Sequence, residues 1–259
     1  MSTFALLKRV VRHLLPEPGL TLLWVQKNPT SWLCSNLPDE AIRISDTGQY
    51  SSFEKIAAGI NSRGTQPLWD GYRAAYEKDS TVPWANASMQ RLPDQVRTQP
   101  QMGRLFAKIA ANIKPDLIVE IGTAFGVSAM YWASGLQASG RGRLVTFDPN
   151  PTWHGIAAEH LAGFGPTVET VLGTFEENID ARLMGQKISI AFVDAIHTDS
   201  FVSAQIEMLL LRAAPNAIIV LDDITFSDDM RACWKKWAGD ARILSSVSVD
   251  DRVGILEFR

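Results

Sequence analysis

The chain has 259 residues, 46% of them hydrophobic, and a formal net charge of −3. That is enough apolar material for one large domain, or one domain with an N-terminal cap, and the charge gives no reason to expect a nucleic-acid surface. The two cysteines, Cys34 and Cys233, lie far apart, which argues against a disulfide scaffold or a CxxC metal site and suits a reducing compartment such as the cytoplasm.

In chain order, Phe4 to Leu15 reads as an amphipathic helix. Its apolar side chains are interrupted by Lys8, Arg9, Arg12 and His13, and it stops near Pro16. Neither a signal-peptide core nor the roughly 18 apolar residues of a membrane span is present. Asn86-Ala-Ser88 fits a glycosylation sequon and is discounted, because nothing else suggests secretion. Residues 1–97 form a helical or irregular cap in this reading, rich in turn formers, with short helices over Phe53 to Ile60 and Leu68 to Tyr76. Trp69, Tyr72, Tyr76 and Trp84 are expected as cap core, with an acceptor pocket as the lesser alternative.

From residue 98 the pattern becomes regular. A helix over Gln101 to Ile113 carries Met102, Leu105, Phe106, Ile109 and Ala110 on one side. Five strands follow: Leu117 to Ile121, Arg143 to Phe147, Val168 to Leu172, Lys187 to Val193 and Ala217 to Leu221. Helices are expected over Val127 to Leu136, Trp153 to Phe164, Phe201 to Ala213 and Ser227 to Trp237. The last two apolar runs, Ala241 to Val247 and Arg252 to Phe258, flank Asp250-Asp251 and suit an antiparallel hairpin. The expectation is an α/β, Rossmann-like, mostly parallel sheet of seven strands that binds ligands at the carboxyl ends of its strands.

Leu117 to Ile121 runs into Gly122-Thr-Ala-Phe-Gly126 and then a helix start, a geometry that aims free N–H groups at a small ligand. A structural turn without ligand is the alternative. The strands end in acid: Asp148, Asp194 and the pair Asp222-Asp223. Asp148 can accept hydrogen bonds from a ribose diol. The glycine turn lacks the middle glycine that admits a pyrophosphate, which disfavours a dinucleotide and favours an adenosine ligand such as S-adenosylmethionine. Asp194, Asp222 and Asp223 offer hard oxygen ligands to Mg²⁺, although Asp222-Asp223 could equally cap the next helix. His197, three residues beyond Asp194, is the candidate base, since an unperturbed imidazole titrates at about 6.5.

Val119-Glu-Ile-Gly-Thr-Ala-Phe-Gly-Val-Ser-Ala129, Phe147-Asp-Pro-Asn-Pro151, Gly173-Thr-Phe175, Val193-Asp-Ala-Ile-His197 and Val220-Leu-Asp-Asp-Ile224 together resemble class I S-adenosylmethionine-dependent methyltransferases. The resemblance is to catechol-type and antibiotic-sugar O-methyltransferases, and it covers Gln99 to Arg259. It implies that residues 98–259 are the cofactor-binding domain, and that Glu120, Gly122, Thr123, Ala124, Phe125 and Ser128 border the cofactor. Gly122 would lie against its amino-acid part and Ser128 would reach its carboxylate. Asp148 would hold the ribose, Gly173, Thr174 and Phe175 the adenine, and Asp194 would border both cofactor and reaction centre. It further implies a divalent metal on Asp194, Asp222 and Asp223, with Asp194 and His197 taking part in catalysis. The sequence departs from the catechol enzymes at His197, where they carry a lysine. The implied partner is a small-molecule acceptor, and a homo-oligomer is allowed. The rival readings are a metal-free N- or O-methyltransferase and a non-catalytic nucleotide-binding scaffold.

Overall fold

The computed structural model of the chain describes residues 19–46, 48–76 and 90–259. The helix expected over 4–15, the Asn86 sequon and Trp84 lie outside the described residues. The elements, in chain order, are strand β1 (Leu20–Gln26), helix α1 (Trp32–Asn36), β2 (Ala41–Ile42), α2 (Ser51–Asn61), β3 (Gln66–Pro67), α3 (Asp70–Tyr76) and β4 (Gln90–Arg91). Then come α4 (Pro100–Ile113), β5 (Leu117–Ile121), α5 (Val127–Ser139), β6 (Arg143–Asp148), α6 (Pro151–Leu161), β7 (Val168–Leu172), α7 (Phe175–Leu183) and β8 (Ile188–Val193). The chain closes with α8 (Asp199–Leu210), β9 (Ala213–Leu221), α9 (Asp228–Ala238), β10 (Ile243–Val249) and β11 (Val253–Phe258).

The main sheet has nine strands in the order β2-β1-β10-β11-β9-β8-β5-β6-β7. The five strands from β7 to β9 are parallel, and the β10–β11 hairpin joins antiparallel to β9, as its spacing predicts. The count of seven is corrected to nine because the first 97 residues also supply sheet. β1 pairs antiparallel with β10, Leu22 opposite Val249 and Trp24 opposite Val247, and β2 pairs with β1.

The central strands are buried on both faces, which explains why β5 reads as a continuous apolar run rather than an alternating one. Ile118, Ile190, Phe192 and Val220 point to one face, against Phe106 of α4 and Trp132 of α5, whose rings stack 4.6 Å apart. Val119, Ile121, Val193 and Leu221 point to the other, against Val202 and Ile206 of α8 and Met230 of α9. Clamped between two apolar layers, the carboxyl ends of β5, β6, β8 and β9 form a fixed rim on which polar groups can be placed.

Candidate active site

The turn after β5 is held by backbone bonds to both neighbours. Gly122 N and Thr123 N donate to Phe147 O of β6 (2.9 and 3.1 Å), and Asp194 N donates to Ile121 O (2.9 Å). Gly122 has φ +101°, and a Cβ there would meet Asp194 O at 1.9 Å, so both conformation and space demand glycine. Gly126, with φ +79°, starts α5 with no capping side chain, leaving the first helical N–H groups without a side-chain cap.

Asp148 ends β6, 5% exposed. Its two oxygens accept from Ala124 N (2.7 Å) and Asn150 N (2.8 Å). Burial outweighs these bonds and pushes its carboxyl up to about 7. Gly122, Ala124, Asp148, Gly173, Thr174, Phe175 and Asp194 line one cleft with an empty volume of about 640 Å³. Glu120, Thr123, Phe125 and Ser128 are buried behind that wall. Thr146 Oγ1 donates to Glu120 Oε2 (2.6 Å), and burial raises the Glu120 carboxyl to about 7. Trp69 and Tyr72 of the cap line the cleft too, as does Trp153, whose ring lies 4.8 Å from that of Phe125. Trp69 and Tyr72 also pack against Ile196, so they combine the expected cap packing with lining of this cleft.

A second cleft, of about 690 Å³, shares the walls Leu68, Tyr72, Ala124, Trp153, Asp194 and Ala195 with the first. His197, Asp222, Asp223 and Arg252 lie on its far side. His197 is buried, with Nε2 3.7 Å from Asp194 Oδ1 and 3.8 Å from Asp223 Oδ2, and its ring lies 5.3 Å from Phe226. Burial lowers its pKa below the ordinary value, against the pull of Asp223 and Asp222. Burial raises the Asp194 carboxyl well above the carboxylate range, with Asp222 and Asp223 adding repulsion, and raises Asp223 in the same way.

Asp222 and Asp223 do something the sequence did not disclose. Arg252 Nε and Nη2 reach Asp222 Oδ1 and Oδ2 at 3.1 and 2.9 Å, a two-pronged ion pair, and Nε lies 3.1 Å from Asp223 Oδ1. The two aspartates do not cap α9, whose N-cap is Ser227 accepting from Met230 N. The expected Mg²⁺ does not fit this donor set. Both Asp222 oxygens are engaged by a guanidinium, and among the described residues no three His, Cys, Asp or Glu side chains converge in an arrangement that could hold a metal ion. The first cleft has a polarity that suits an adenosine ligand, with a buried acceptor at Asp148 and aromatic walls.

A parallel sheet with a reversed terminal hairpin, a glycine turn after its central strand and a buried acid ending the next make the fold found in class I methyltransferases. Comparison with known proteins agrees. Residues 119–224 match a family described as "Methyltransferase domain". A catechol O-methyltransferase of Mycobacterium tuberculosis is 29% identical over 132 residues, which is 50% of this chain and 58% of that one. The chain spans about half the length of the curated relatives it matches. Among solved structures, the O-methyltransferase TomG of Streptomyces achromogenes, in complex with S-adenosylmethionine, superposes with TM-score 0.55 at 19% identity, covering 81% of this chain and 98% of its own. Cofactor-bound Rv0187 from MTB gives 0.58 at 20%, covering 90% and 99%. Residues 119–224 thus match a methyltransferase domain, and the chain shares its fold with these solved methyltransferases.

Proposed function

We propose that this protein transfers the methyl group of S-adenosylmethionine to a hydroxyl oxygen of a small molecule, with His197 as the base. The observation that carries this reading is the pair of clefts meeting at Ala124, Trp153 and Asp194, one walled by the glycine turn and Asp148, the other by a buried histidine. The cofactor, when bound, supplies an electrophilic methyl carbon on a sulfonium and leaves as S-adenosylhomocysteine.

The chain's own residues do the rest. Asp148 receives the ribose hydroxyls, the turn at Gly122 lies against the amino-acid part, and Phe175 packs beside the adenine. Leu68, Tyr72 and Trp153 exclude water and hold the acceptor in line, which is where much of the rate arises. His197, kept neutral by burial, takes the hydroxyl proton as the oxygen lone pair forms the new C–O bond; Asp194 and Asp223 then stabilise the imidazolium. Magnesium assistance, the finer expectation of the resemblance, has no place in this reading because Arg252 engages the carboxylates.

Incubating the purified protein with S-adenosylmethionine and a set of hydroxylated aromatic and sugar acceptors, followed by mass spectrometry, tests it. A methyl ether is the expected product. Methylation on nitrogen alone, or no turnover of any acceptor, would overturn it.

A further inference from the structure

Arg252 belongs to neither cleft's expected chemistry, yet its main chain and its guanidinium are both engaged at the rim. It follows the turn of the β10–β11 hairpin, whose Asp250 and Asp251 adopt φ of +51° and +52°. That turn is fastened on two sides. Toward β1, Asp250 N donates to Thr21 O (2.9 Å) and Thr21 N to Asp250 Oδ1 (2.6 Å). Toward the loop after β9, Ile224 N donates to Arg252 O (2.9 Å) and Thr225 Oγ1 to Asp251 O (2.7 Å). Arg252 and the aspartates it grips are thus anchored to each other through main chain, and the guanidinium arrives already placed.

The acids need a cation. Asp222 is 4% exposed, and Asp223 stands beside it with φ +50°. Like charges packed this closely cost energy unless one of opposite sign is present. A guanidinium is charged at every physiological pH, so the positive charge is permanent. A planar fork bonded to both oxygens of Asp222 takes up one acceptor site on each, and a divalent ion seated there would lie against a fixed positive charge.

We propose that Arg252 is the standing cation of this site: it excludes a divalent metal and, through Asp223, positions His197, so that methyl transfer runs metal-free. Arg252 is a positioning residue, acting on the reaction through Asp223. The rate consequence rests on the methyltransferase reading; the metal-exclusion consequence does not.

The test therefore has two arms. In the first, protein freed of metal by chelator is titrated with Mn²⁺, and free ion is followed by electron paramagnetic resonance. Wild type and Asp222→Asn should give the same titration, with no saturable site of one ion per chain. Such a site in wild type, lost in Asp222→Asn, would overturn the proposal. In the second, Arg252→Lys keeps a charge but loses the fork. Its turnover should fall about tenfold or more, with affinity for S-adenosylmethionine by calorimetry unchanged within twofold, and turnover of Arg252→Ala should be partly restored by guanidinium ion. Full turnover in Arg252→Lys, or wild-type turnover abolished by chelator and restored by Mg²⁺, would overturn it. If neither variant folds, the wild-type titration and chelator assay still decide, and if no acceptor is ever methylated the Mn²⁺ arm stands alone.

Discussion

The two halves of the strand-end rim are built on different principles. At β5 and β6 the site is almost all backbone: a glycine turn, amide N–H groups, and one buried carboxylate that two of those amides hold. At β8, β9 and the hairpin it is side-chain electrostatics, three aspartates, a buried histidine and an arginine brought from the far end of the chain. The first half suits a ligand whose shape never varies, and the second can be retuned one side chain at a time. That contrast is what one expects if the cofactor is fixed and the acceptor chemistry is not.

Substitutions can break the contrast from either side. The largest effect falls on the acceptor half: His197→Gln should lower turnover by about 10²–10⁴-fold while calorimetric affinity for S-adenosylmethionine holds. A loss of cofactor affinity instead would mean that the two halves are not separable. On the cofactor half, Gly122→Ala drives a methyl group into Asp194 O at a φ that L side chains rarely adopt. It should cost about 3 kcal/mol or more of stability in urea denaturation, with cofactor binding lost.

Glu120 sharpens the comparison through pH. Burial raises its carboxyl from 4.5 to about 7, so between those values the native state binds more protons than the unfolded one. The stability this confers is full below about 4.5 and is lost as pH rises to 7. Glu120→Gln should therefore stabilise the cofactor-free protein by up to ~3 kcal/mol at pH 8 and by little at pH 4.5, seen as a difference in urea midpoints. A gain that is equal at both pH values would mean that the carboxyl is not the cause.

Much of the cofactor half was legible in the sequence because it is contiguous. β5 and β7 fall on the residues expected, and Asp148 closes β6 as its position after the glycine turn implies. The acceptor half was legible only in its acids. Arg252 is one of many arginines in the sequence, and nothing local says that a hairpin turn will carry it to Asp222, 30 positions away. β1 was missed for the same reason. Its partner Val249 lies at the other end of the chain, and the prolines before Leu20 made the segment read as loop. α7 was overlooked because its buried positions, Phe175, Ile179 and Leu183, form a single narrow stripe among charges. Pairings closed over long separations leave no periodic trace, whereas a strand, turn and helix in succession do.

The smallest effect is also the most direct test of the central claim that the cleft at β5 and β6 is the cofactor's seat: calorimetric titration of S-adenosylmethionine into wild type and Asp148→Asn at pH 8. The account predicts saturable one-to-one binding to wild type, weakened about 10–100-fold in the variant by loss of charge-assisted hydrogen bonds. Equal affinity in the two proteins, or none in wild type, would contradict it.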